Sequence, residues 1–206
     1  SYDVNLVELQ PSDINFAING AKIEKLLYMV NQPVYATGLI NINGALKDMS
    51  GDIVTKITKG KVQNKIVNEK FKLKLKNALN FKGDVLTALT KDKAVSKVDF
   101  FTTMANVFVK EAVVNLKTGV ITRDYLLKAD NLSKLFAVTQ TKMRGAIAIN
   151  GEVKKDKDLL VTGVSKLFDG TLNYKLLNDD FSATIKDVIL VKALHMLYYP
   201  EFFTSK

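Results

Sequence analysis

Apolar and polar residues alternate with a period of two along most of this chain. Clear examples are Ile40 to Asn43, Phe71 to Lys76 and Ile121 to Ala129, where successive side chains would project from opposite sides of a strand. Turn-forming residues recur about every 8–12 positions, and no alternation of strands with long helices is visible. The pattern predicts a mainly β protein in which about ten to twelve strands follow one another as an antiparallel meander.

Three short stretches break this alternation. Apolar residues at Ile23, Leu26, Leu27 and Val30 have helical spacing, which predicts a helix within residues 21–30. Brief helices are also predicted from Leu132 to about Thr139 and from Val191 to Tyr199, before Pro200. The expected fold therefore has about three short helices beside a long sheet.

Two segments of the chain resemble each other in sequence. Gly38 to Gly44 matches Gly145 to Gly151 at an offset of 107 residues, and Gly60 to Phe71 matches Gly170 to Phe181 at an offset of 110. This order predicts repeated strand modules. We assign residues 1–130 to a first module with a connecting meander and 131–206 to a second module ending in a short helix. Together they would form one continuous β structure within a longer protein.

The composition supports no catalytic or metal site. The chain has no cysteine and a single histidine, His195, so thiolate ligands and a cysteine nucleophile are excluded. His195 has no serine, aspartate or cysteine at a suggestive spacing, and the acidic pairs at 156–158 and 179–180 lie in turn-forming sequences. We therefore predict a protein that is not an enzyme and that uses neither a cofactor nor a metal ion.

The net charge of +9 raises the question of nucleic acid or anionic lipid as a partner. The lysines are dispersed, and Lys72, Lys74 and Lys76 alternate with apolar residues as on the solvent face of a strand. A groove for nucleic acid needs clustered cations with stacking aromatic side chains. The pattern therefore indicates a solvated lysine face and no nucleic-acid partner.

The apolar strand face allows two interpretations. It is either the core of a closed β-sandwich, which the pattern alone favours, or a groove that holds acyl chains, because each buried methylene of such a chain contributes about 0.8 kcal/mol. A closed sandwich would leave the chain as a structural or interaction scaffold that docks a partner through an edge strand.

Short motifs in the second module resemble those of a known family. Leu132 to Leu135, Met143 to Gly151, Val161 to Gly163 and Asp169 to Leu172 are similar to the C-terminal repeat region of bacterial AsmA-like, or TamB-type, envelope proteins. The resemblance implies a long U-shaped β trough with an apolar interior. It also implies a periplasmic protein that is attached to the inner membrane in its full-length form and contacts other envelope proteins.

The same resemblance implies a function without bond chemistry. Phospholipids would move between the inner and outer membranes with their acyl chains in the groove, which would support outer-membrane homeostasis. Combined with the strand pattern, it favours the groove over the closed core. The residues expected to face the groove are Ile40, Ile42, Phe71, Leu73, Leu75, Ile147, Ile149, Leu172, Tyr174, Leu176, Phe181 and Ile185.

Overall fold

The structure, a computed structural model, describes residues 13–199. The strands in this part of the chain are β1 (Ile14–Lys22), β2 (Ala36–Lys47), β3 (Ser50–Val62), β4 (Asn80–Leu89), β5 (Lys93–Thr102), β6 (Asn106–Asn115), β7 (Ile121–Ala129), β8 (Ile147–Lys155), β9 (Leu159–Leu167), β10 (Gly170–Leu177) and β11 (Asp180–Lys186). The helices are α1 (Ile23–Met29), α2 (Asn64–Phe71), α3 (Phe136–Thr139), which follows a 3₁₀ turn at Leu132–Leu135, and α4 (Leu190–Met196).

All eleven strands belong to one antiparallel sheet in which the spatial order equals the chain order. The sheet does not close on itself, so β1 and β11 form two free edges within the described residues. Register shifts interrupt five of the ten strand pairings, and such bulges bend and twist a sheet locally. The predicted fold class, a long curved antiparallel sheet, is confirmed. The strand suggested by Val4 to Leu9 lies outside the described residues.

The predicted helices at 21–30, 132–139 and 191–199 are present as α1, the 3₁₀ turn with α3, and α4. The prediction of a strand from Phe71 to Lys76 is wrong. Phe71 is the last residue of α2, Lys72 ends that helix in the left-handed region with φ 53°, and residues 73–79 form an irregular connection outside the sheet. Leu73 and Leu75 therefore lie in a connection rather than on a strand.

Side chains of α2 make the hydrogen bonds to this connection that a neighbouring strand would otherwise make. The amide of Asn68 accepts a hydrogen bond from the backbone N–H of Leu75 (2.9 Å) and donates one to its carbonyl (3.1 Å). The amide of Asn64 donates to the carbonyl of Asn77 (2.9 Å). Backbone groups need partners when they leave water. Because α2 provides these partners, the alternating segment 71–76 can lie outside the sheet.

The two similar segments share only part of their structure. Gly38–Gly44 and Gly145–Gly151 each follow a short helical segment and enter a strand that pairs with the next strand along the chain. The later parts differ, because residues 64–71 form α2, whereas residues 170–181 form β10 and the start of β11. The strands β7 and β8 pair directly, so one sheet runs through the position assigned as the module boundary. The division into modules at 130 stays a prediction.

All four helices lie at the same end of the sheet. Tight hairpins join β2 to β3, β4 to β5, β6 to β7, β8 to β9 and β10 to β11 at the opposite end. The helical segments also contact each other, since the N–H of Lys74 donates to the carbonyl of Ala137 (3.2 Å) and that of Arg144 to the carbonyl of Met196 (3.0 Å). We call the border of the sheet that carries the helices the helical end, and the border that carries the five tight hairpins the hairpin end.

Candidate functional site

One face of the sheet is apolar on every strand. Directly paired residues of an antiparallel sheet project from the same side, so the registers assign each paired side chain to a face. On one side they place the following residues, which we call the apolar face: Ile14, Phe16 and Ile18; Ile40, Ile42 and Leu46; Ile53 and Ile57; Phe81, Val85 and Leu89; Val98 and Phe100; Val107, Val109, Ala112 and Val114; Ile121, Leu127 and Ala129; Ile147, Ile149 and Val153; Leu159 and Val161; Leu172, Tyr174 and Leu176; Phe181 and Ile185.

Nine of the twelve predicted groove residues lie on this face. The exceptions are Phe71, Leu73 and Leu75, which are not in the sheet. Phe71 packs against Tyr35, with ring centroids 6.1 Å apart, and stays 57% exposed, whereas Leu75 is 6% exposed beside α2. Whether any of the twelve contacts a lipid stays a prediction.

The opposite face, which we call the polar face, carries most of the paired charges beside exposed apolar residues such as Val54, Leu86 and Val164. The registers place twelve lysines on it, together with the paired acidic residues of the strands: Lys22, Lys47, Lys56, Lys61, Lys82, Lys93, Lys97, Lys128, Lys154, Lys166, Lys175 and Lys186. Ion pairs form on this face between Lys97 and Asp99 (3.4 Å) and between Lys154 and Glu152 (3.3 Å). A small aromatic cluster also lies there, where Phe101 and Phe108 meet edge to face at 5.6 Å.

The apolar face has no second layer of structure over it in residues 13–199. Extensive contacts between strands join only neighbours in the sheet, and no second sheet closes a sandwich. The buried apolar residues are Leu75, Val109, Ala112, Ala129 and Leu132, and no large side chain is fully enclosed. The accessible surface is 14701 Å², whereas a compact monomer of 22.9 kDa has about 9,600 Å². The chain thus leaves more of its surface accessible than a compact monomer of its mass does.

Glycines on this side lie beneath aromatic rings of adjacent strands. Phe16 covers Gly44, Phe81 covers Gly60 and Phe100 covers Gly83. A Cβ atom at Gly44 would collide with the Phe16 ring, so the glycine provides the space that the ring occupies. Aromatic rings over strand glycines shield the backbone beneath them.

Two tyrosines form a bridge over the corresponding glycines of the second module. Tyr125 on β7 covers Gly151, Tyr174 on β10 covers Gly163, and the two hydroxyl groups contact each other. The Tyr125 hydroxyl also donates to the carbonyl of Thr162 (2.9 Å). Burial, followed by the hydrogen bond to Tyr174, raises the pKa of the Tyr125 phenol well above its ordinary value. The Tyr125 phenol is therefore neutral at physiological pH.

A cleft of about 620 Å³ lies at the helical end, between residues 74–79 and α3. Its apolar lining includes Leu79, Met104 and Phe136, and Lys76 and Lys134 are among its charged residues. This volume is in the range of small-molecule sites. Sequence patterns do not reveal this cleft, since its walls come together only through the topology.

The residues that the sequence offered for chemistry lie on a helix and at turns: His195 on α4, and the acidic pairs at 156–158 and 179–180 at the turns of the β8–β9 and β10–β11 hairpins. No cluster of three or more His, Asp or Glu residues could hold a metal ion within 13–199. His195 is exposed on α4, where its carbonyl accepts a hydrogen bond from the Arg144 guanidinium (2.5 Å). Asp158 accepts a hydrogen bond from the Asn178 amide (2.9 Å) in the turn region.

Comparison of the chain with protein families, with characterised proteins and with solved structures finds no match. None of the helices in the described part of the chain has the length and apolar character needed to span a membrane. Any function assigned to the chain therefore depends on the geometry of its own residues.

Proposed function

We propose that the chain binds phospholipid acyl chains on its apolar face and carries them between the inner and outer membranes without bond chemistry. One observation carries this proposal: an apolar face extends over eleven strands and no second layer of structure in residues 13–199 lies over it. Uncovered apolar surface costs about 25 cal/mol per Å², so a ligand that covers it gains a corresponding free energy. Exposed apolar patches of such size mark binding surfaces.

The arrangement of polar groups suits a lipid ligand. Acyl chains would lie among the aliphatic side chains and the flat rings, while the lysines of the opposite face remain in water. The proposal includes membership of the AsmA-like envelope proteins, a periplasmic location and attachment of the full-length protein to the inner membrane. These parts depend on the resemblance of the sequence motifs.

A scaffold that docks an envelope protein is the second candidate, and the free edges of the sheet favour it. Every residue of β11 is exposed, with Phe181 at 67% and Ile185 at 54%. An edge strand with unpaired backbone groups can accept a strand from another protein. This candidate requires no lipid cargo.

Native mass spectrometry with organic extraction of the purified chain tests the first proposal. We expect phospholipid at a defined stoichiometry, and its loss in the double variant Ile42→Asp/Ile149→Asp, which introduces two charges on the apolar face. The matched control is Asn43→Asp/Ala148→Asp, which introduces the same charges one residue away on the polar face of the same strands.

Circular dichroism would establish that both double variants retain their strand content. Retention of lipid by the control and loss by the apolar-face variant would support the proposal. A lipid-free wild-type chain that takes up no fluorescent phospholipid would contradict it and would leave the scaffold as the better interpretation.

A further inference from the structure

The paired charged residues of the strands lie on the polar face, with two exceptions. The registers place the paired acidic residues of the strands and twelve lysines on the polar face. Arg123 and Lys155 lie on the apolar side instead, because Arg123 pairs with Ala112 and Val153, and Lys155 pairs with Ile121. A charged side chain on such a surface is costly unless it has a partner.

These two cations are diagonal neighbours. Ile121 and Arg123 are two residues apart on β7, and their partners Lys155 and Val153 are two residues apart on β8. Diagonal neighbours in a sheet are about 7–8 Å apart, within reach of two long side chains. The fold thus brings like charges together, close to the hairpin end of the apolar face.

No carboxylate within residues 13–199 forms an ion pair with either cation. The four ion pairs in residues 13–199 involve neither Arg123 nor Lys155, and no paired Asp or Glu of the strands shares their face. The Lys155 ammonium donates to the carbonyl of Lys157 (2.8 Å), which leaves its charge uncompensated. An anion between the two side chains would remove their repulsion.

We propose that Arg123, with Lys155 beside it, binds the phosphate of a phospholipid whose acyl chains lie on the apolar face. The inference rests on the proposed function and adds a head-group site and an orientation to it. A guanidinium can donate two parallel hydrogen bonds to phosphate oxygens, and such charge-assisted bonds strengthen next to apolar surface.

The position of Arg123 on β7 fits this ligand. The seven residues from Arg123 to Ala129 span about 20 Å of strand, and one leaflet of a bilayer holds acyl chains about 15 Å deep. A phosphate at Arg123 therefore leaves room for both chains to extend past Tyr125 and Leu127 toward the helical end. The lipid would bind with its head group at the hairpin end.

Binding of two fluorescent lipids with identical acyl chains tests the site: phosphatidylglycerol, and diacylglycerol, which lacks the phosphate. We expect the wild-type chain to prefer phosphatidylglycerol, and Arg123→Gln to weaken its binding about tenfold while diacylglycerol binding stays unchanged. Arg123→Lys should restore part of the preference. The control Lys128→Gln removes the same charge from the opposite face of β7 and should change neither affinity.

The outcomes separate this inference from the proposed function. If Arg123→Gln binds both lipids as the wild type does, the head-group site is wrong while acyl binding stands. If the wild type binds neither lipid, the proposed function fails, and this inference fails with it. If oleate competes more strongly than unlabelled phosphatidylglycerol and loses this advantage in Arg123→Gln, the site selects a carboxylate and the phosphate assignment is overturned.

Discussion

At the scale of single residues, the paired glycines and aromatic rings explain the repeated sequence motif. Gly44 and Gly151 are the last residues of the two similar segments, and each lies beneath a ring from the preceding strand, Phe16 or Tyr125. Glycine weakens a strand by itself because it has no side chain to pack and loses much backbone entropy. The ring compensates for this weakness, so glycine and ring form one structural unit.

Substitution of Gly44 tests this unit. A Cβ atom there would meet only ring atoms of Phe16 as its three nearest neighbours, so Gly44→Ala should lower the free energy of unfolding by about 1–3 kcal/mol. In a Phe16→Ala background the same substitution should become neutral or stabilising, because alanine suits a strand better than glycine. Urea denaturation of the four proteins in this cycle measures both effects.

Asn43→Ala is the matched control, since Asn43 is exposed on the polar face one residue away and should change stability by less than about 0.5 kcal/mol. An equal cost of Gly44→Ala in both backgrounds would show that the backbone, rather than the ring, requires glycine at this position.

The tyrosine bridge should make stability depend on alkaline pH. The pKa of Tyr125 is raised in the folded chain, so the folded state holds this proton more tightly than the unfolded state does. The associated stabilisation is fully present below the unfolded pKa of about 10 and is lost as pH rises through the folded pKa. Tyr125→Phe removes this dependence.

Urea unfolding of the wild type and of Tyr125→Phe at a series of pH values from 8 to 12 would test this prediction. The difference in unfolding free energy should fall from about pH 10 upward in the direction that disfavours the wild type. Lysine titration affects both proteins equally and therefore cancels in this difference. A difference that stays constant with pH would contradict the raised pKa.

At the scale of elements, the strand period predicted which side chains share a face, because successive residues of any strand alternate regardless of its neighbours. Arg123, Tyr125 and Leu127 could be assigned to one side from the sequence alone. Contacts between distant strands could not be assigned from the sequence, since the bridge from Tyr125 to Tyr174 depends on the intervening β8 and β9. The cleft at the helical end could not be predicted either, because its walls come from segments that are distant in the sequence.

The segment around α2 shows that local hydrogen bonds can override the strand period of a sequence. Phe71 to Lys76 alternates strictly, but the Asn68 amide provides the hydrogen bonds that a neighbouring strand would have supplied. Asn178, the matching residue of the second copy, instead accepts a hydrogen bond from the N–H of Leu159 (3.0 Å) in a hairpin region. Equivalent residues in the two copies thus have different structural roles, which the sequence match alone could not reveal.

Removal of the Asn68 amide should release the connection between α2 and β4. Asn68→Ala leaves the N–H and carbonyl of Leu75 without these bonds, and we expect a loss of about 1–3 kcal/mol. Hydrogen exchange should accelerate at the Leu75 amide and change little in the strands distant from it. The control Glu69→Ala alters an exposed neighbour on the same helix. Unchanged exchange at Leu75 would show that another contact fixes this segment.

At the scale of the whole molecule, a single sheet has taken the place of a layered core. Most domains bury their apolar surface between two packed layers. Here the helices form a border at one end and leave the broad apolar face uncovered within residues 13–199. The stability of the chain therefore depends on strand pairing and on the rings over the glycines more than on an enclosed core.

This architecture should reduce the dependence of unfolding on denaturant. An unfolded chain of this mass exposes roughly 33,000 Å², so folding to 14701 Å² buries about four-fifths of what a compact protein of equal mass buries. The urea m-value and the heat-capacity change of unfolding scale with this area. Both should be about 20% below those of a compact, lipid-free reference protein of similar length. Values equal to the reference at low protein concentration would mean that the apolar face is covered in the isolated chain.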